Sequence, residues 1–193
     1  MNSDISDVPS KKLDVLKRLK KGVILKAVRF GWWPAEEFVS LFKIDGDELF
    51  SFTEGALLVY LVSGDVIGFA SDESLNSIVV WLELEGGADT AESVVEKEED
   101  LFPVCHNDER YSKGIWRGVS GRVIERIFLI RRKPPSVQYD DLPNEVGLML
   151  ILDDREKLLL CHNLCDKSNV FSVCGYGDLS GDIIGELSFL EIL

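Results

Sequence analysis

Four cysteines and two histidines are the side chains best suited to do chemistry in this sequence: Cys105, Cys161, Cys165 and Cys174, with His106 and His162. The dipeptide Cys-His occurs twice, which invites a metal reading. Zinc takes four nitrogen or sulfur ligands at about 2.0–2.3 Å in a tetrahedron. The spacing C-x3-C-x8-C over Cys161, Cys165 and Cys174 matches no strong zinc pattern. Neighbours on a strand face opposite sides, so Cys161 and His162 cannot both point inward. The expectation is reduced, buried thiols packing as small apolar side chains, with no metal and no cofactor.

Nucleophilic catalysis needs a thiol or hydroxyl beside a base. Cys105, His106 and Asp108 in "FPVCHNDERYSKG" would make such a set on paper. Triad members usually come from distant segments, however, and neither G-x-S-x-G nor H-E-x-x-H occurs. Carboxylate pairs at Asp72-Glu73, Asp140-Asp141 and Asp153-Asp154 read as turn and surface residues. "GYGDLSGD" lacks the Lys-Ser/Thr of a phosphate loop. No catalytic set is expected.

The elements that must carry these residues follow from period and punctuation. Ser10 would cap a helix over 11–21 that Gly22 ends. The stretch 23–30 admits strand or helix, and Pro34 would open a helix running to Phe42 or Lys43. Strands are predicted at 49–52, 56–62, 66–69 and 78–84, with a hairpin turn at Ser63-Gly64-Asp65. A helix is predicted over 91–100, then strands at 121–131, 148–152, 157–162 and 170–174. The apolar C-terminus should dock as a final strand or helix. This is an α+β pattern, mainly antiparallel sheet with a few short helices, in one unit spanning 1–193.

Charge divides that unit. Residues 1–30 carry eight Lys/Arg against three Asp, and residues 31–110 carry three against nineteen acids. Residues 111–135 carry seven against one, and 136–193 three against eleven. The alternation suggests duplication, with halves 1–110 and 111–193. Setting Gly55 over Gly147 aligns "GALLVYLVSGDVIGFASDESLNSIVVW" with "GLMLILDDREKLLLCHNLCDKSNVFSV" without a gap. The net charge of −13 repels nucleic acid and anionic membranes and suits a cationic partner. The basic segments can pair with the chain's own acids instead. No run reaches the roughly 18 apolar residues of a membrane helix, and the polar start carries no secretory signal, so the expected compartment is the cytoplasm.

"GFASDESLNSIVVWLELEGG" places an apolar strand with Trp81 between Asp72-Glu73 and Glu83, Glu85. An aromatic anchor ringed by charge suits a protein interface. The expected partner-binding residues are Asp72, Glu73, Trp81, Glu83 and Glu85, with Glu96, Glu98 and Glu99 of the predicted acidic helix. Trp32 and Trp33 beside Glu36 and Glu37 form a second candidate patch. The stretch "GDVIGFASDESLNSIVVWLE" resembles segments of bacterial immunity proteins from contact-dependent and other polymorphic toxin systems. That resemblance implies a small, acidic, cytosolic α+β protein without catalytic residues. It would bind a basic toxin domain, often a nuclease, and cover its active site. Two alternatives stand beside it: a small thiol- or metal-dependent hydrolase, and a homodimeric scaffold subunit.

Overall fold

The structure is a computed structural model that describes residues 4–134, 136–165 and 171–193; the Glu96 side chain also lies outside the description. Two antiparallel sheets carry the fold. The first holds β1 (Ile24–Gly31), β2 (Leu57–Leu61), β3 (Val66–Asp72), β4 (Ser77–Glu85), β5 (Ala88–Asp89) and β6 (Phe102–Cys105), in the order β5-β4-β3-β2-β1-β6. The second holds β7 (Ile124–Arg132), β8 (Gly147–Leu152), β9 (Lys157–His162), β10 (Phe171–Gly175) and β11 (Leu187–Glu191), in the order β10-β9-β8-β7-β11. The α+β expectation therefore holds, with one sheet in each half.

Apart from the two-residue β5 of the first, the two sheets share their wiring. Each has a four-strand meander, and each adds a later strand beside its first (β6 on β1, β11 on β7). Matching irregularities confirm the equivalence. The β1–β2 register shifts between Ile24 and Lys26, and the β7–β8 register shifts between Ile124 and Arg126. Ile24 faces Leu61, and Ile124 faces Leu152. Both hairpins then turn through a residue with positive φ, Gly64 at 92° and Arg155 at 70°. Glycine takes that conformation freely, and Arg155 takes it against its side chain. The halves meet at an antiparallel bridge between the equivalent residues Val23 and Val123. There Ile24 N–H donates to Arg122 O at 2.9 Å, and Ile124 N–H to Gly22 O at 3.2 Å. The gapless alignment is out by one residue. It sets Ile78 over Val170, whereas the strand registers make Ile78 equivalent to Phe171. In a strand, one residue is a change of face.

Three apolar layers result. The central one lies between the sheets and takes Ile24, Ala27, Leu57, Val59, Ile67 and Phe69 from one half. From the other half it takes Ile127, Leu129, Leu148, Leu150, Leu158, Leu160 and Phe171. Val15, Leu16 and Leu19 of α1 (Leu13–Leu19) join it at helical spacing, as does Phe38 of α2 (Ala35–Phe42). The second and third layers lie on the outer faces: Val28, Phe30, Leu58, Val79 and Trp81 on the first sheet, and Ile130, Met149, Leu159, Cys161 and Cys174 on the second. One charge enters the central layer. Arg29 is fully buried, stacks on Phe171 at 4.6 Å and donates to the carbonyls of Thr53 and Phe171. Burial pushes its guanidinium down to about 9.

Four local expectations need correction. The run 49–52 is a helix, α3 (Leu49–Phe52), not a strand. It continues the tight turn Gly46–Glu48 and drops Leu49 and Phe50 into the core; a short apolar run does not distinguish the two by period. Ser10 does not cap α1, whose first flanking residue is Lys12. Residues 91–100 are not a helix; only a single tight turn forms, Val95–Lys97. Thr90 and Ser93 bind the backbone of β4 instead, a local competition that unmakes helices. The short strand β6 was not anticipated. The C-terminus docks as β11, and α4 (Gly181–Ile184) precedes it. No helix among the described residues is long and apolar enough to cross a membrane.

Candidate functional site: an acidic groove on the first sheet

The outer face of the first sheet is where most of the expected binding residues fall. Gly68 and Trp81 are opposite one another on β3 and β4. The indole lies flat on the glycine: a Cβ at Gly68 would stand 2.1 Å from Cε2 of Trp81. Only hydrogen fits there, so Gly68 sets where the ring lies. The indole N–H donates to Glu83 Oε2 at 2.6 Å, and Glu83 Oε1 accepts from Val95 N–H at 2.9 Å. Ser93 donates to the Glu83 carbonyl, and Thr90 Oγ1 to Leu82 O at 2.6 Å. Leu82 N–H donates to Glu92 Oε2 at 3.1 Å. These bonds tie residues 90–95 down over β4 as a strap.

The strap changes the roles of two expected anchors. Trp81 is 4% exposed and Glu83 is fully buried. Glu83 presents no surface for a partner to cover, and Trp81 presents only the small part that meets the groove described below. A buried carboxylate must be hydrogen-bonded, and Glu83 meets that condition by holding the indole and the strap together. Glu85 is exposed but bound by Arg18, at 2.5 Å. The other basic segments behave likewise: Lys12 pairs with Glu92 at 2.7 Å, Arg126 with Glu191 at 2.6 Å and Arg131 with Glu145 at 3.0 Å. Glu99 is exposed, beyond the strap, and the Glu96 side chain is not among those described.

Asp72, Glu73, Trp81 and Glu98 do come together, around a groove of about 640 Å³. Its floor is Ala70, Val79 and Trp81; Val94, Val95 and Leu101 form one wall. Trp32, at 60% exposed, stands with Glu54 on another side. Four carboxylates thus line one apolar, aromatic hollow, and they come from three separated segments: Glu54, Asp72 with Glu73, and Glu98. Glu54, Glu73 and Glu98 form no ion pair among the described residues. Asp72 is partly occupied as a cap, accepting from Ser74 N–H at 2.8 Å and from Ser74 Oγ at 2.6 Å. Of the second patch, Trp32 belongs to this groove, while Trp33 is exposed outside it.

Ser71 at the groove is backed by the other half. Its hydroxyl hydrogen-bonds Nδ1 of His162, a residue of β9 that points between the sheets. Burial lowers the His162 pKa, and the nearby Glu73 and Asp72 oppose that. The pair was missed because it joins residues far apart in the chain. The gapless alignment sets Ser71 over Asn163, whereas the strand registers make Ser71 and His162 equivalent positions. Among the described residues no carboxylate hydrogen-bonds the other ring nitrogen, so the dyad lacks the orienting third group of a triad.

Cys105 Sγ lies 3.7 Å from Nδ1 of His106, whose ring is also tied to the backbone and to Ser120. Nδ1 of His106 accepts from Ala27 N–H at 3.1 Å, while His106 N–H donates to Ala27 O at 3.0 Å. Nε2 bonds Ser120 Oγ at 3.0 Å, and Ser120 Oγ donates to Leu25 O at 2.8 Å. The ring is therefore a clamp from β6 onto β1 and the turn at Ser120. The other cysteines gather elsewhere: the sulfurs of Cys161, Cys165 and Cys174 lie within 4.8 Å of one another. Compared with known protein families, curated proteins and solved structures, the chain matches none of them.

Proposed function

We propose that this chain is a non-catalytic binding protein that takes a cationic side chain or short basic segment of a protein partner into the acidic groove. The observation that carries the proposal is the convergence of Glu54, Asp72, Glu73 and Glu98 on a hollow floored by Trp81 and flanked by Trp32. Aromatic faces attract ammonium and guanidinium groups by about 0.5–2 kcal/mol. The carboxylates add long-range steering, which chiefly raises the association rate. Several of the chain's own cations are held in pairs with carboxylates away from the groove.

In the setting that the immunity-protein resemblance suggests, the partner is a basic toxin domain, neutralised in the cytoplasm when the bound chain covers its active site. Relative to the sequence reading, the contact residues move. Glu54 enters, Trp32 joins from the second patch, Glu83 and Glu85 leave, and Trp81 becomes the floor and not a protruding anchor. The test is titration calorimetry with a tetra-arginine peptide and a tetra-glutamate control. Binding of the first alone, weakened about 10-fold by Glu73→Lys with Glu98→Lys and weakened again by salt, supports the groove. Equal binding of both peptides, or binding indifferent to the two reversals, ends it.

One observation favours a second reading, a hydrolase built on Ser71 and His162. Covalent labelling of Ser71 by a fluorophosphonate, abolished by His162→Gln, would replace the binding reading with that one.

A further inference from the structure

The outer face of the second sheet holds the three-cysteine cluster. Cys161 on β9 and Cys174 on β10 are diagonal neighbours on that face, with sulfurs 3.8 Å apart. Cys165, just beyond the end of β9, places its sulfur 3.2 Å from that of Cys174. None is bonded to another cysteine. His162 takes no part, because the strand turns it to the opposite face.

Three features separate this cluster from ordinary packing. First, its size is that of a metal-thiolate site. Sulfurs about 2.3 Å from one ion in a tetrahedron lie about 3.8 Å apart. The Cys161–Cys174 separation has that value, and Cys165 comes from outside the ladder, where a small shift is cheapest. Secondly, the cluster is not sealed. Cys165 and Cys174 line a cavity of about 400 Å³ with Glu48, Lys113, Gly175 and Asp178. The cavity gives an ion a way in. Thirdly, the fold does not require thiols here. The equivalent positions in the first half are Ala70 for Cys161 and Trp81 for Cys174, by the paired registers.

From this juxtaposition we propose that Cys161, Cys165 and Cys174 form a three-thiolate site for a thiophilic d10 cation such as Zn²⁺, with the fourth position open to the cavity. Each thiol loses its proton as its sulfur–metal bond forms, so one divalent ion releases three protons and leaves the site with one negative charge. Three soft sulfurs exclude Mg²⁺ and Ca²⁺, which take oxygen ligands. An open fourth position is the arrangement of zinc sites that bind an exchangeable ligand, as opposed to closed structural ones.

The experiment uses the full chain, purified under a phosphine reductant and stripped with a chelator. Zn²⁺ is titrated against a chromogenic competitor, and Co²⁺ serves as a spectroscopic substitute. The expected result is one ion per chain, with sulfur-to-cobalt charge-transfer absorption and about three protons released. Cys165→Ser and Cys174→Ser should each weaken binding by about 100-fold, and Cys105→Ser should leave it unchanged. Cys165 is outside the ladder, so its variant decides the matter if Cys174→Ser does not fold. No stoichiometric ion in the reduced chain, or equal retention by Cys165→Ser, overturns the proposal. So does a Cys165–Cys174 disulfide in chain isolated without reductant that still takes up no metal after reduction.

Discussion

The outer faces of the two sheets occupy the same place in the same wiring and are finished differently. On the first, Gly68 opposes Trp81, and the indole lies on bare backbone. On the second, the equivalent pair is Leu159 opposite Cys174, and the space of one large ring is filled by a leucine and clustered thiols. The first face gains a strap, bound through Glu83, with an acidic groove at its side. The second gains a sulfur cluster beside a cavity. A duplicated scaffold needs only apolar cover on each outer face. What differs beyond that requirement is where each half's own chemistry lies.

The largest expected effect removes the device peculiar to the first half. Glu83→Ala leaves the Trp81 and Val95 N–H groups buried without acceptors. Each such donor costs about 1–3 kcal/mol, so unfolding free energy in a urea titration should fall by about 4 kcal/mol. Protease sensitivity should rise first at residues 90–98, because the strap is released before the sheet. A loss below about 1 kcal/mol would mean that Thr90, Glu92 and Ser93 hold the strap without Glu83.

Next comes the glycine itself. Gly68→Ala puts a methyl group within 2.1 Å of the indole, and overpacking of this kind costs about 1–3 kcal/mol. Trp81 fluorescence should shift to the red as the ring is pushed towards the groove, and tetra-arginine binding should weaken with it. If both stay at their wild-type values, the groove floor is not set by this contact.

How much of this was legible in the chain follows from the same residues. Alternation located most strands, Gly64 marked its hairpin, and the two meanders were visible as a repeat. Register was not visible: the gapless alignment put Ile78 a residue away from its partner. Alternation predicts a surface anchor at Trp81, because it assigns a strand two faces without saying whether anything covers the second. The cover here is the strap, whose Glu92 and Ser93 read as residues of a helix until their β4 partners are known. Cys161, Cys165 and Cys174 stand out in the sequence, but their C-x3-C-x8-C spacing gives no reason to expect a site. Cys161 and Cys174 meet diagonally across two strands, and no linear spacing rule describes that meeting. Asp72, Glu73 and Glu98 were found because carboxylates crowd the chain near the groove; Glu54 and Trp32 belong to segments that only folding brings there.

The smallest effect separates the halves at their added strands, where β6 runs on into His106 and β11 into Ile192. Both backbones donate to the equivalent carbonyls, His106 N–H to Ala27 and Ile192 N–H to Ile127. Only the first side chain can titrate. Burial holds the His106 pKa below the ordinary 6.5, against a weaker opposing pull from the Ala27 backbone. The unfolded chain therefore takes up this proton at a higher pH than the folded one. Below 6.5 the unfolded state binds more protons, so the stability contribution declines as pH falls, until the folded ring is itself protonated. One group can impose a slope of no more than about 1.4 kcal/mol per pH unit. Urea unfolding of the wild type and His106→Gln between neutral and acid pH isolates it, since His162 contributes to both. The difference between the two should be flat above neutrality and should shrink as pH drops below 6.5. A constant difference would show that protonation of His106 leaves the clamp on β1 intact.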